Sequence, residues 1–191
     1  MTTDYIPESE VILDEVIIWT TFQDIAAVIT SEAEFLLFLN KNQLEFRRIE
    51  HPPVFTCAEA ERLRPNLTAV STKNLFLCDK KGKKFFLVMA ACEKNIDMKR
   101  LAGQIGVSKL RFGSEENLGR LLGVGRGAVT VLGLVNDDEH QVDIWIDKEI
   151  WGKESFMCHP LVNTATLVLS KATLERFFKI TGHTIHLFES E

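Results

Sequence analysis

The chain has 191 residues, 46% of them apolar and 26% charged, and a formal net charge of −5. This is an ordinary globular composition, long enough for one domain with a proper hydrophobic core. It argues against a protein that holds duplex nucleic acid by bulk charge, and the apolar runs are too short and too broken by charge to span a membrane.

The polar, acidic start MTTDYIPESE is unlike a secretory signal, so the expected location is the cytoplasm. The cysteines, Cys57, Cys78, Cys92 and Cys158, show no CxxC spacing. Free thiols in a reducing compartment are the expectation. Paired metal-ligand spacing is missing as well, even around Cys158-His159, so a metal site is not expected. Thirteen Phe against one Tyr suggest a Phe-lined core.

Residues 1–30 read as an N-terminal extension of unknown role, with β-branched apolar stretches at 11–16 and 17–29. Residues 31–191 read as a single domain. Ser31 and Glu34 form a capping-box pattern that opens a helix to about Asn42, with Phe35, Phe38 and Leu39 on one face. A short strand is predicted over Leu44–Ile49, and His51-Pro52-Pro53 forces an extended turn. Thr56 and Glu59 repeat the capping box and start a short helix through Leu63.

Lys73–Asp79, a Lys80–Lys83 turn and Lys84–Ala91 read as a hairpin. Asp97 caps a helix through Gln104, Leu110–Phe112 is a short strand, and Ser114 caps a helix over Glu115–Leu122 that Gly123 ends. A glycine loop follows, then an expected strand over Ala128–Leu134. Further strands are predicted at His140–Asp147, Glu154–Cys158, Thr164–Leu169 and Thr184–Phe188, with a turn at Lys148–Gly152 and a helix over Lys171–Thr181 behind its Ser170 cap. The fold class is therefore mixed α/β: a largely antiparallel, barrel-like sheet flanked by short helices, not a doubly wound parallel sheet.

Glycines at 119, 123, 125, 127 and 133 concentrate around the loop LLGVGRGAVTVLGLVND. A dinucleotide loop follows a strand and opens a helix; here a helix precedes, so that reading is excluded. Two others stay open: a structural turn, or backbone N–H groups that cradle an oxyanion. Lys73 is either an exposed strand-edge lysine or a fixed cation aimed at negative charge. His159 with Asn163, Thr164 and Thr166 is either a polar turn or a hydrogen-bonding site for a sugar or amine. Surface basic clusters occur at Arg47-Arg48, at Lys80, Lys81, Lys83 and Lys84, and at Lys99-Arg100 with Lys109 and Arg111; each alone reads as a solvated face. No GxSxG or other nucleophile arrangement is present, so a hydrolase built on this chain would use water directly.

Five stretches in order, EHPPVFT (50–56), KNLFLCD (73–79), IDMKRLA (96–102), LRFGSEENLGRLLGVGRGAVTVLGLVND (110–137) and CHPLVNTATLVLS (158–170), resemble the YbaK/ProX family of prolyl-tRNA synthetase editing-domain-like deacylases. The resemblance implies hydrolysis of the ester on a mischarged tRNA, with alanine on the tRNA for proline as the usual substrate. The partners it implies are the 3′ aminoacyl end of that tRNA and prolyl-tRNA synthetase, with no membrane and no cofactor. It implies catalytic roles for Lys73, Gly127, Ala128 and His159, and substrate contacts from Gly125, Arg126, Asn163 and Thr164. The family loop reads GVxPGSVTPFGL. Here Arg126 replaces the proline, Ala128 the serine, and Val131-Leu132 the proline-phenylalanine pair. Those changes leave open another small amino acid such as cysteine, or a non-catalytic tRNA-end or synthetase-binding module of the same fold.

Overall fold

The computed structural model describes residues 28–54, 56–63 and 68–190; the strands suggested within residues 1–27 lie outside them. In chain order the helices are α1 (Glu32–Lys41), α2 (Cys57–Leu63), α3 (Met98–Ile105), α4 (Glu115–Leu122), α5 (Lys148–Trp151) and α6 (Lys171–Ile180). The strands are β1 (Arg47–Glu50), β2 (Val70–Asp79), β3 (Phe85–Ala91), β4 (Leu110–Phe112), β5 (Val142–Asp147), β6 (Ser155–Cys158), β7 (Ala165–Ser170) and β8 (Ile185–Phe188). The sheet runs β1-β7-β6-β2-β3-β5-β8, with β4 added beside β2. It is mixed: β1–β7, β7–β6, β2–β3 and β2–β4 are antiparallel, whereas β2–β6, β3–β5 and β5–β8 are parallel. The barrel-like expectation is corrected in one respect: the sheet does not close, and ends at β1 and β8.

β3 is apolar throughout because both its faces are covered. Phe85, Leu87, Met89 and Ala91 enter the larger core with Phe35, Leu122, Leu132 and Phe177. Phe86, Val88 and Ala90, pointing the opposite way, meet Leu101 and Ala102 of α3 and Phe188 of β8. This is the period-2 alternation of a strand feeding two cores. The expected Phe lining is present: Phe35 and Phe177 meet edge to face at 6.3 Å, and Trp151 stacks on Phe156 at 5.6 Å.

The caps behave as their sequences demand. Ser31 and Glu34 satisfy each other's backbone at the start of α1, and the Thr56 and Glu59 side chains do the same at α2, at 3.2 and 3.3 Å. Lys148–Trp151, expected as a turn, is one helical turn capped by Asp147.

One element differs in kind. The predicted strand Ala128–Leu134 is instead a loop leading into a 3₁₀ helix, Val131–Asn136. β-branched residues favour a strand only where a neighbouring strand can pair with them. Here the Thr130 side chain accepts from Leu132 N at 3.3 Å and caps the helix. Gly133 lies so close to α4 that a Cβ would stand 3.0 Å from Leu122. Asn136 then ties the helix down, accepting from Ile29 N at 2.7 Å and donating to the carbonyls of Ile29 and Leu122 at 2.8 and 3.1 Å.

Candidate active site

β2 is the strand on which the site depends. One edge pairs with β3 from Thr72 to Cys78. The other edge is covered twice and incompletely: by β6 at Val70 and Ser71, and by β4 from Leu77 to Asp79. Between those contacts no strand among the described residues covers it, and a cavity of about 190 Å³ opens there. Ser71, Thr72, Lys73 and Asn74 form one wall; Met157, Cys158 and His159 at the end of β6 form a second. Gly127 and Val129 contribute the glycine-loop side, and Val54, Thr56, Cys57 and Cys92 the mouth.

Lys73 is only partly exposed, and its ammonium donates to the carbonyls of Cys92, at 3.2 Å, and Lys94. Burial lowers its pKa below the usual lysine range, and Glu93 partly offsets that. An ammonium has three donors, so one proton remains beyond the two carbonyls. Asn74, next along the strand, carries a buried Oδ1 with no hydrogen-bond partner among the described residues.

Gly127 adopts φ +85°, a conformation that favours glycine. Its N–H makes no hydrogen bond among the described residues, whereas the Ala128 N–H donates to Gly125 O at 3.2 Å. Gly127 lines the cavity, and Ala128 closes the turn behind it. Arg126 is 79% exposed, away from the cavity walls, and pairs with Glu115 at 3.3 Å. Gly125 lies outside the lining too.

His159 Nδ1 lies 3.1 Å from Ala165 O. A carbonyl only accepts, so Nδ1 carries a proton and donates it to this bond. His51, read in the sequence only as part of a turn, stands 6.4 Å from His159, ring to ring. Its Nδ1 donates to Pro52 O at 2.8 Å, and its Nε2 meets the Thr166 hydroxyl at 3.0 Å. Asn163 and Thr164 act from behind the wall. Val54 N donates to Asn163 O, His51 N to Thr164 O, each at 3.0 Å, and the Asn163 amide donates to Val54 O at 3.3 Å. They hold the Pro52–Val54 segment in place instead of lining the cavity.

The expectation of free thiols is overturned for Cys57 and Cys92 and holds for Cys78 and Cys158. Cys57, the first residue of α2, is disulfide-bonded to Cys92, just past the end of β3, with S–S 2.07 Å and Cα–Cα 5.7 Å. Thirty-five positions separate the two, and they meet only because the α2 cap and the end of β3 converge at the mouth. Spacing alone carried no signal for this pair. Cys78 and Cys158 are free and buried. Burial pushes the Cys158 thiol up to about 12, against a smaller opposing effect of Thr72, so it is no thiolate nucleophile near neutral pH.

Lys73 of β2 and Gly127 of the glycine loop thus line one small cavity of a mixed α/β sheet. Residues 51–177 match the aminoacyl-tRNA editing domain, and the chain belongs to that family, whose class is aminoacyl-tRNA deacylase. Among individual relatives, it is 38% identical over 151 residues to the prolyl-tRNA editing protein ProX of Acetoanaerobium sticklandii, covering 79% of this chain and 92% of that one. It is also 38% identical over 149 residues to prolyl-tRNA synthetase associated domain-containing protein 1 of Danio rerio, covering 77% and 80%. A crystal structure of a candidate trans-editing enzyme for prolyl tRNA synthetase superposes with TM-score 0.64 at 16% identity, over 85% of this chain and 99% of that one, and shares the fold.

Proposed function

We propose that this chain acts in trans on mischarged tRNA, hydrolysing the ester between a wrong amino acid and the 3′ end, with alanine on the tRNA for proline as its substrate and prolyl-tRNA synthetase as the source of the error. The observation that carries this reading is that Lys73 and Gly127 line one cavity of about 190 Å³.

Water attacks the ester carbonyl, and the negative charge moves onto the carbonyl oxygen. The Gly127 N–H and Lys73 stabilise that oxyanion as it forms; one such donor is typically worth about 3–4 kcal/mol. The tetrahedral intermediate then collapses and expels the ribose oxygen. A hydroxyl of the substrate's own ribose orients the water, and Asn74 Oδ1 accepts from the substrate's amino group. Discrimination is steric. A pocket that admits a methyl side chain and excludes the proline ring rejects by shape, because favourable contact with one methyl alone discriminates weakly.

The test is a deacylation panel of Ala-, Cys- and Ser-tRNA(Pro) with wild type and Lys73→Ala. Free alanine should be released, and Lys73→Ala should lower kcat/KM by about 10²–10³, with circular dichroism confirming an intact fold. If every ester survives micromolar protein, the enzymatic reading falls. Tight tRNA binding without turnover would then support the non-catalytic module. Preferential cleavage of Cys-tRNA(Pro) would keep the reaction and change the amino acid.

A further inference from the structure

We infer that the tip of the β2–β3 hairpin is a docking surface for the phosphate backbone of the nucleic acid whose 3′ end enters the cavity. This rests on the cavity reading above. Sequence alone left Lys80, Lys81, Lys83 and Lys84 apart from Lys109 and Arg111, and each group alone reads as a solvated face. The fold joins them. β4 pairs with the end of β2, setting Arg111 opposite Cys78 and Leu110 opposite Asp79. Arg111 packs over the turn: a Cβ on Gly82 would lie 2.7 Å from its Nη2.

The turn is a built structure. Asp79 Oδ1 accepts from the Lys83 and Lys84 N–H groups at 2.7 and 3.2 Å, and Gly82 N donates to Asp79 O at 3.0 Å, with Gly82 at φ +69°. The carboxylate nearest the lysines is thus engaged with the backbone. None of the six cations forms an ion pair among the described residues, unlike Arg48, Lys94, Arg126 and Lys148. A chain of net charge −5 therefore gathers six cations around one carboxylate, Asp79, at one end of β2.

The position suits the role. Lys73 lines the cavity on the same strand, six residues before Asp79, or about 20 Å away at the rise of a strand. Lysines are flexible point charges, suited to phosphates and poor at reading bases.

The experiment replaces Lys80, Lys81 and Lys84 together by Gln. Its control replaces Lys41, Lys153 and Lys179, exposed elsewhere, in the same way. Two substrates are compared: full alanyl-tRNA(Pro) and alanyl-adenosine, which has no stem. Binding of uncharged tRNA is followed against salt. The hairpin variant should raise KM for the full substrate by about tenfold or more and reduce the slope of log K against log salt by about 2–3, near one per lost contact. Its kcat and its rate on alanyl-adenosine should match wild type, and the control variant should behave as wild type throughout. An unchanged KM and slope, or an equal loss on both substrates, overturns the inference. So does a hairpin variant that binds tRNA normally but loses binding to anionic vesicles or polyglutamate. If wild type cleaves neither substrate yet binds tRNA through the hairpin lysines, the deacylase reading falls and the docking surface stands.

Discussion

Lys73 and Asn163 show how residues with equal claims in the sequence diverge in the fold. Lys73 lines the cavity and also fastens the Cys92 and Lys94 carbonyls. Asn163 fastens Val54 from outside it. A third polar site, absent from the sequence reading, governs stability. Asp137 is 3% exposed and accepts from Gln141 N at 2.9 Å, Val142 N at 2.8 Å and His183 Nε2 at 3.2 Å. Burial alone would raise its pKa, but the His183 bond and the two backbone N–H groups together hold it below the usual carboxylate range. A depressed carboxylate contributes stability that is present above the unfolded value, about 3.9, and is lost as pH falls through the lower folded value. Asp137→Asn should therefore cost about 2–3 kcal/mol near neutral pH, and its gap from wild type should narrow as pH falls from 5 towards 2. Urea midpoints across that range measure this, and a gap independent of pH would contradict it.

At the scale of elements, capping patterns were legible because they are local. Ser31 with Glu34, Thr56 with Glu59, Asp97, Ser114 and Ser170 bond backbone N–H groups two or three residues away. The stretch after the glycine loop was misread because its structure depends on Leu122 and Ile29, remote partners that a window of sequence does not contain. The Cys57–Cys92 bond is remote in the same sense, and it fastens α2 to the end of β3 at the mouth. Closing a loop of 35 residues restricts the unfolded chain, worth roughly 3–4 kcal/mol in the chain-entropy account. A dithiol reductant, or Cys92→Ser, should lower the denaturation free energy by about that amount. It should also loosen the mouth and raise cleavage of Pro-tRNA(Pro) relative to Ala-tRNA(Pro). Equal stability and equal discrimination with and without reductant would show that the bond constrains neither.

Across the whole molecule, the open sheet binds two cores through β3, so helices on either face depend on the same strand. Phe177, 1% exposed, touches Phe35, Phe38 and Phe178 and joins α6 to α1 over the larger core. Phe177→Ala should cost about 3–5 kcal/mol and shift the denaturant midpoint with the m-value unchanged, since one cooperative unit unfolds; a biphasic transition would show that the cores unfold separately. No helix among the described residues is long and apolar enough to cross a membrane. By itself the sequence determined the mixed α/β class and nearly every element, because periodicity and caps are written in near neighbours, and it singled out Lys73, Gly127 and His159, which the fold places on the wall of one cavity. Tertiary structure alone decided that the sheet stays open and that β2 is left partly uncovered to make the cavity. It also turned a supposed strand into a 3₁₀ helix, joined two cysteines, and brought Arg111 against the lysine-rich hairpin tip. Each of these is a meeting of residues distant in the chain, whose energy exists only once the sheet has brought them together.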